Sequence, residues 1–255
     1  MRIIRESAGV IAVWKPAGIA TQAPPGIPSA EAWLRARLHG GDPRGYVGVP
    51  HRLDRGVSGV VLFAATPRAA RKLSRQFERR QIRKTYLAVV AATPRGAAHA
   101  EELARGAVGT ACAAGPPAGH GPAGTRWHDF LVKVPDEPRA RIATADEPQA
   151  REAVTFARLV RRVAEDSLLL ELEPVTGRMH QLRLQAATRG LPMLGDDLYG
   201  GPVVPWGEGE PPAVAGPGDE RIALHAVRIA YADPDAGDAV VVEAPLPDSW
   251  PLTAR

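Results

Sequence analysis

The sequence predicts an α+β (α/β mixed) fold, on three observations. Apolar runs of strand length recur along the 255 residues, bounded by Gly, Pro, Asp or Ser. Two stretches, after Ser29 and after Thr66, place a capping residue ahead of apolar positions at helical spacing. The chain then closes on a hairpin pattern, with strands at 223–230 and 239–244 around a turn at 233–237.

In order, Ile3-Ile4, a turn at Ser7-Ala8-Gly9 and the run 10–14 predict a strand pair. Lys15-Pro16-Ala17-Gly18 breaks it into a loop. Ser29 caps a helix with Trp33, Leu34 and Leu38 on one face, and Gly40-Gly41 ends it. Val60-Val61-Leu62-Phe63-Ala64 reads as a buried strand. Thr66-Pro67 starts a helix to about Gln81 that buries Ala69, Ala70, Leu73 and Phe77. Its other faces carry Arg68, Arg71, Lys72, Arg75, Arg79 and Arg80 against Glu78. Such a set is usually a solvated face, but one so one-sided also suits phosphate contact. Strands follow at 85–90, 127–134, 152–163 and 167–173, and a helix from Thr176 to Gly190 with Leu182 and Ala186 inside. Residues 93–125, rich in Gly, Ala and Pro, read as a surface insertion, and 200–219 as a loop. With no repeat and no linker of boundary length, one domain over 1–255 is expected.

Composition narrows the function. Apolar residues make up 45% and charged residues 24%, the balance of a globular protein. No apolar stretch reaches the ~18 residues of a membrane span. The start, with Arg2, Arg5 and Glu6, lacks a signal-peptide core, so the cytoplasm is the expected location. The single Cys112 excludes an internal disulfide and a multi-cysteine metal site. Net charge is +4 and arginine far outnumbers lysine, which suits a polyanionic partner, though GC-rich coding inflates arginine too.

The stretch with most chemistry in it is His51-Arg52-Leu53-Asp54-Arg55-Gly56-Val57-Ser58-Gly59. It holds one acid between two arginines on a glycine-punctuated turn, just ahead of a buried strand. A loop on such a rim can fix a carboxylate for chemistry. Asp54 and Gly56 also fit an ordinary turn, and the stretch alone leaves both readings open.

The stretch closely resembles the active-site motif of the RluA family of RNA pseudouridine synthases: His-Arg-Leu-Asp, two variable residues, then usually Thr-Ser-Gly. Lys15-Pro16-Ala17-Gly18, Lys84-Thr85-Tyr86-Leu87-Ala88, 176–183 (Thr-Gly-Arg-Met-His-Gln-Leu-Arg), 194–200 (Leu-Gly-Asp-Asp-Leu-Tyr-Gly) and Leu224-His225-Ala226 follow that family's order. The resemblance implies a pseudouridine synthase fold, a mixed, mostly antiparallel central sheet with flanking helices and a catalytic cleft across it. It implies Asp54 as the catalytic carboxylate, Tyr86 as the ring stacked on the target base, and Arg183 as the arginine paired with the aspartate. Arg52 would fill the space left by the flipped nucleotide. Arg55, His51, Arg178, His180 and Gln181 would contact RNA, with Arg71, Lys72 and Arg75 on the basic helix. The family uses no metal or organic cofactor and is commonly monomeric. The expected partner is a stem-loop of ribosomal or transfer RNA, with no membrane and no metal.

The residue types suit the chemistry. Remaking a glycosidic bond at carbon needs a group that attacks or stabilises an electron-poor centre, as a carboxylate does. Drying a carboxylate disfavours its charged form, and a permanent guanidinium charge opposes that. An aromatic face holds a detached base at ~1–3 kcal/mol. By default, however, Tyr86 would be a core tyrosine, Arg183 a solvated arginine, and His51 and His180 structural supports.

Three departures stand out: Val57 for the usual threonine, Met179 for a threonine or serine, and Gln185 where a histidine is frequent. The insertion at 93–125 is long for the family. The family pattern starts at residue 3, so the separate N-terminal RNA-binding domain of many relatives is expected to be missing. Two other readings compete. One is a catalytically silent or repurposed RNA-binding protein on the same fold, against which the intact Asp54, Tyr86 and Arg183 argue. The other is a hydrolase, but Gly56-Val57-Ser58-Gly59 misses G-x-S-x-G by one residue, and His51, Asp54 and His180 form no tight ligand cluster.

Overall fold

The structure is a computed structural model and describes residues 1–40, 42, 44–106, 124–203 and 221–251. It separates into two compact units. The first holds Met1–Lys84 and His225–Ser249; the second takes in 85–106, 124–203 and 222–224.

In the first unit, β1 (Arg2–Ser7) and β2 (Val10–Lys15) form the expected antiparallel pair. Ala8 and Gly9 both take positive φ (50° and 73°), the geometry of a tight hairpin, and glycine adopts it without strain. β2 pairs with β3 (Ser58–Ala64), every residue of which is buried. Their register sets Val10 opposite Ala64 and so brings Lys15 opposite Gly59. β3 pairs in parallel with β9 (Leu224–Ala232), and β10 (Ala239–Glu243) turns back antiparallel on β9. The long apolar runs of β2 and β3 fit strands covered on both faces, each buried Val or Leu contributing ~1.5–3 kcal/mol.

Two helices belong to this unit. α1 (Ala30–His39) starts where Ser29 accepts the Ala32 amide and buries Leu34, with Trp33 and Leu38 half-buried. α2 (Pro67–Glu78) starts where Thr66 accepts the Ala69 amide and buries Ala69 and Leu73. It stops short of the predicted Gln81 because Arg80 turns left-handed, at φ 56°.

The second unit is an antiparallel sheet in the order β4 (Arg83–Ala91), β8 (Ser167–Pro174), β7 (Arg151–Ala164), β5 (Thr125–Lys133), β6 (Ala140–Ala143). α4 (Gln181–Thr188) packs Leu184 among Leu131, Ala140 and Ala153. Its predicted start needs correction: Thr176 caps nothing and turns to β7, accepting the Val154 amide at 2.9 Å. The insertion at 93–125 also differs from expectation. It opens with a single 3-10 turn, Pro94–Gly96, and runs into α3 (Ala97–Gly106), with Leu103 buried. The alanine content that made it look loop-like favours helix. Its Gly-Pro segments, like most of the 200–219 loop, lie outside the described residues. Sixteen elements, ten of them strands, make the described residues α+β, as predicted.

Candidate active site

Asp54 begins a turn whose carbonyl accepts the Val57 amide at 3.1 Å. Just before it, Thr21 Oγ1 donates to the Leu53 carbonyl (2.9 Å) and accepts the Leu53 amide (3.0 Å). Just after it, the Gly18 amide donates to the Arg55 carbonyl (2.8 Å), and Arg55 Nε donates back to the Gly18 carbonyl (2.9 Å). The 15–21 loop therefore grips the turn on both sides. Lys15 is wholly buried beneath it, and its Nζ donates to the carbonyls of Pro16 (2.9 Å), Ile19 (2.7 Å) and Arg55 (3.3 Å). Burial pushes the Lys15 ammonium down to about 7, while the Asp54 carboxylate pulls it the other way.

Behind the turn, Ser58 Oγ lies 2.8 Å from Nδ1 of the buried His225, whose Nε2 lies 3.3 Å from the Ala244 carbonyl. A carbonyl only accepts, so Nε2 carries the proton and Nδ1 takes the serine's. Burial lowers His225 to about 4, against the opposing pull of that carbonyl. At Gly59 (φ 125°) an added Cβ would fall 2.4 Å from the Ala226 carbonyl oxygen, so only glycine lets β3 approach β9 this closely. His51 stacks on Phe77 with centroids 4.7 Å apart, and its Nε2 accepts the Leu62 amide at 2.9 Å. Burial, then the charge of Lys84, push it down to about 3, so the ring is neutral.

In the second unit, Tyr86 is a buried residue of β4 paired with Leu172 on β8. Arg183 is buried on α4 and clasps Asp196 with two hydrogen bonds of 2.7 Å, from Nε and Nη2. Its Cζ also lies 5.2 Å from the centre of the Tyr199 ring. Tyr199 OH accepts the Ala140 amide (3.0 Å) and lies 3.0 Å from His180 Nδ1. His180 itself takes left-handed backbone, φ 51°, at the head of α4. Gln181 accepts from Thr176 Oγ1 (2.7 Å) and the Arg178 amide (3.0 Å). It donates to the Val154 carbonyl (3.1 Å) and Thr155 Oγ1 (3.0 Å), so all four of its hydrogen-bonding positions are used. Thr155 donates onward to Gln185 (2.7 Å), and Gln185 to Asp129 (2.7 Å), which also pairs with Arg189 at 3.0 Å.

The structure thus gathers Asp54 and Arg55 in one unit, and Arg178, His180, Gln181 and Arg183 in the other, which also holds Tyr86. His51 and Gln181, expected at the RNA, are turned inward. Arg178 Nε donates to the Glu152 carbonyl at 3.0 Å. Arg52 and Arg55 are exposed, as are Arg71 and Arg75 on α2, while Lys72 is half-buried and donates to the Pro234 carbonyl. Of the departures, Val57 and Gln185 are buried, and Met179 is exposed. Sequence reasoning passed over Asp196, Tyr199 and the Ser58–His225 pair. Nothing in the letters of their motifs says which acid or ring turns inward.

Residues 9–188 match the family described as RNA pseudouridylate synthase. Among curated proteins, the chain is 32% identical over 254 residues to the ribosomal large subunit pseudouridine synthase D of Xanthomonas campestris pv. campestris, covering 97% of this chain and 66% of that one. It is 28% identical to synthase C of Rickettsia bellii, over 96% of this chain and 68% of that one. With synthase D of Neisseria meningitidis serogroup A the identity is 31%, over 96% and 58%. The chain thus spans some three-fifths to two-thirds of the length of these relatives. Among solved structures, human RNA pseudouridylate synthase domain containing 4 shares the fold at TM-score 0.65 and 20% identity, over 98% of this chain and 90% of that one. Human RNA pseudouridylate synthase domain containing 1 does so at 0.62 and 22%, over 95% and 82%. By its family match and these relatives, the chain belongs to the RNA pseudouridylate synthase family.

Proposed function

We propose that this protein converts uridine to pseudouridine in structured RNA, with ribosomal RNA as the leading substrate and transfer RNA the alternative. The observation that carries the proposal is the Asp54 turn, gripped on both sides by the 15–21 loop, inside a family match over residues 9–188. Ribosomal RNA leads because the relatives named above are ribosomal large subunit synthases.

Asp54 supplies the carboxylate that attacks or stabilises the electron-poor sugar as the C1′–N1 bond breaks. The free uracil turns against the ring of Tyr86, C5 bonds to C1′, the C5 proton leaves and N1 gains one. Arg183, aimed by Asp196, is the arginine that pairs with the Asp54 carboxylate during the reaction. Arg52 fills the gap left in the RNA, whose opening costs roughly a few kcal/mol. Arg55, Arg178 and His180 contact the strand, and Arg71 and Arg75 on α2 contact phosphates. The product is an isomer of the substrate, so the step needs no net oxidant, reductant or group donor. The chain works as a single catalytic domain, as a monomer in the cytoplasm.

Asp54→Asn tests this. The variant keeps its fold and its RNA affinity, while tritium release from C5-labelled uridine in RNA falls to background. Wild-type release by this variant overturns the mechanism.

A further inference from the structure

The two sides of α2 differ. On one, Arg68 pairs with Asp235 at 3.0 Å, Lys72 lies 3.7 Å from the same carboxylate, and Gln76 exchanges two hydrogen bonds of 2.8 Å with Ala232. These residues are spent on the hairpin of β9 and β10. On the other side, Arg71 and Arg75 are exposed and enter no ion pair among the described residues. One turn apart, they line a depression of about 370 Å³ together with Ser74 and Tyr46.

Tyr46 is 40% exposed, which leaves part of its ring open to solvent. Its surroundings are cut small to seat it: a Cβ on Gly48 would fall 2.8 Å from the Tyr46 hydroxyl and 2.9 Å from the Ala70 methyl. The one acid of the depression, Glu78, is the last residue of α2. The site also adjoins the motif. Eight residues along the chain from Tyr46 comes Asp54, and Phe77 of α2 stacks on His51.

A guanidinium pair one helical turn apart suits a phosphate, and an exposed ring beside it suits a nucleobase. Glu78 repels a second phosphate but accepts an N–H from a base edge. We propose that this depression docks one unpaired nucleotide of the RNA beside the target, its phosphate on Arg71 and Arg75 and its base on Tyr46. The proposal rests on the RNA reading above and adds a docking position outside the reacting residues.

The test compares Tyr46→Ala, Tyr46→Phe, the double variant Arg71→Ser/Arg75→Ser, and Arg68→Ser. RNA affinity is read by fluorescence anisotropy across a salt series, and conversion by single-turnover assay at saturating RNA. Tyr46→Ala and the double variant weaken binding roughly ten-fold, and Tyr46→Ala keeps a single-turnover rate within about two-fold of wild type. The double variant also makes the salt dependence shallower by about one to two phosphate contacts. Tyr46→Phe and Arg68→Ser bind as wild type. Wild-type affinity in Tyr46→Ala or in the double variant overturns the proposal. So does an equal loss in Tyr46→Phe, which would mean that the hydroxyl, not the ring face, matters. Binding is scored apart from conversion, so the two readings fail separately: RNA affinity that falls in these variants of a protein forming no pseudouridine keeps the dock and removes the activity.

Discussion

Around Asp54 side chains hold the chain by its backbone groups. The carbonyls of Pro16, Ile19 and Arg55 converge on Lys15, and the Leu53 amide and carbonyl close on Thr21. Around Arg183 the holding is done by side chains. Asp196 takes Arg183, and Thr176, Gln181, Thr155, Gln185 and Asp129 pass hydrogen bonds from one to the next. The difference shows in what each region tolerates. In the first, buried Val57 stands where a hydroxyl is usual, while Lys15 and Thr21 hold backbone groups of the turn. A circuit of side chains accepts only a replacement with the right donors and acceptors. Gln185 qualifies, since its amide gives to Asp129 and takes from Thr155.

The contrast breaks hardest at Asp196. Asp196→Ala leaves the buried Arg183 charge without this partner, a loss of about 3–5 kcal/mol in stability. Asp196→Asn keeps the shape but weakens the clasp, and should stay folded while losing most of its turnover. Thermal unfolding and single-turnover rates separate the two. Equal stability of wild type and Asp196→Ala would mean that the clasp holds nothing.

Acid gives the next largest effect, and it acts on the other region. His51 and His225 are lowered in the folded protein to about 3 and about 4, both by burial first. The unfolded chain takes up these protons below about pH 6.5 and the folded chain does not, so stability falls as pH drops from 6.5 toward 4. His225 contributes roughly 3 kcal/mol to that fall. Both residues lie in the first unit. At pH 5, amide exchange should accelerate in β3 before β7 and β8, and His225→Gln should flatten the pH dependence. Uniform exchange would remove the contrast.

Thr21→Val is the smallest test. It strips the Leu53 amide and carbonyl of their partner at a cost of roughly 1–3 kcal/mol, with a few-fold slower turnover. A drop as deep as that of Asp196→Asn would show that the backbone grip is no sturdier than the side-chain circuit.

How much of this was legible depended on range. β2 and β3 could be read because their apolar runs are unbroken, and α2 because Thr66-Pro67 sets both cap and first turn. Asp54 stood out through motif order. Lys15 did not, because a lysine beside a proline looks like any surface loop until three carbonyls surround it. Thr176 looked like a cap because threonine serves that role as readily as it bridges to a strand. α3 was hidden by the glycines and prolines that follow it. The Ser58–His225 bond joins positions 167 residues apart, and no local pattern carries such a contact.

That same long reach decides when the protein can be finished. A ribosome delivers Asp54 long before His225 and Ala244, which brace the strand behind it. Until both have emerged, the Asp54 turn stands on a strand that lacks its brace.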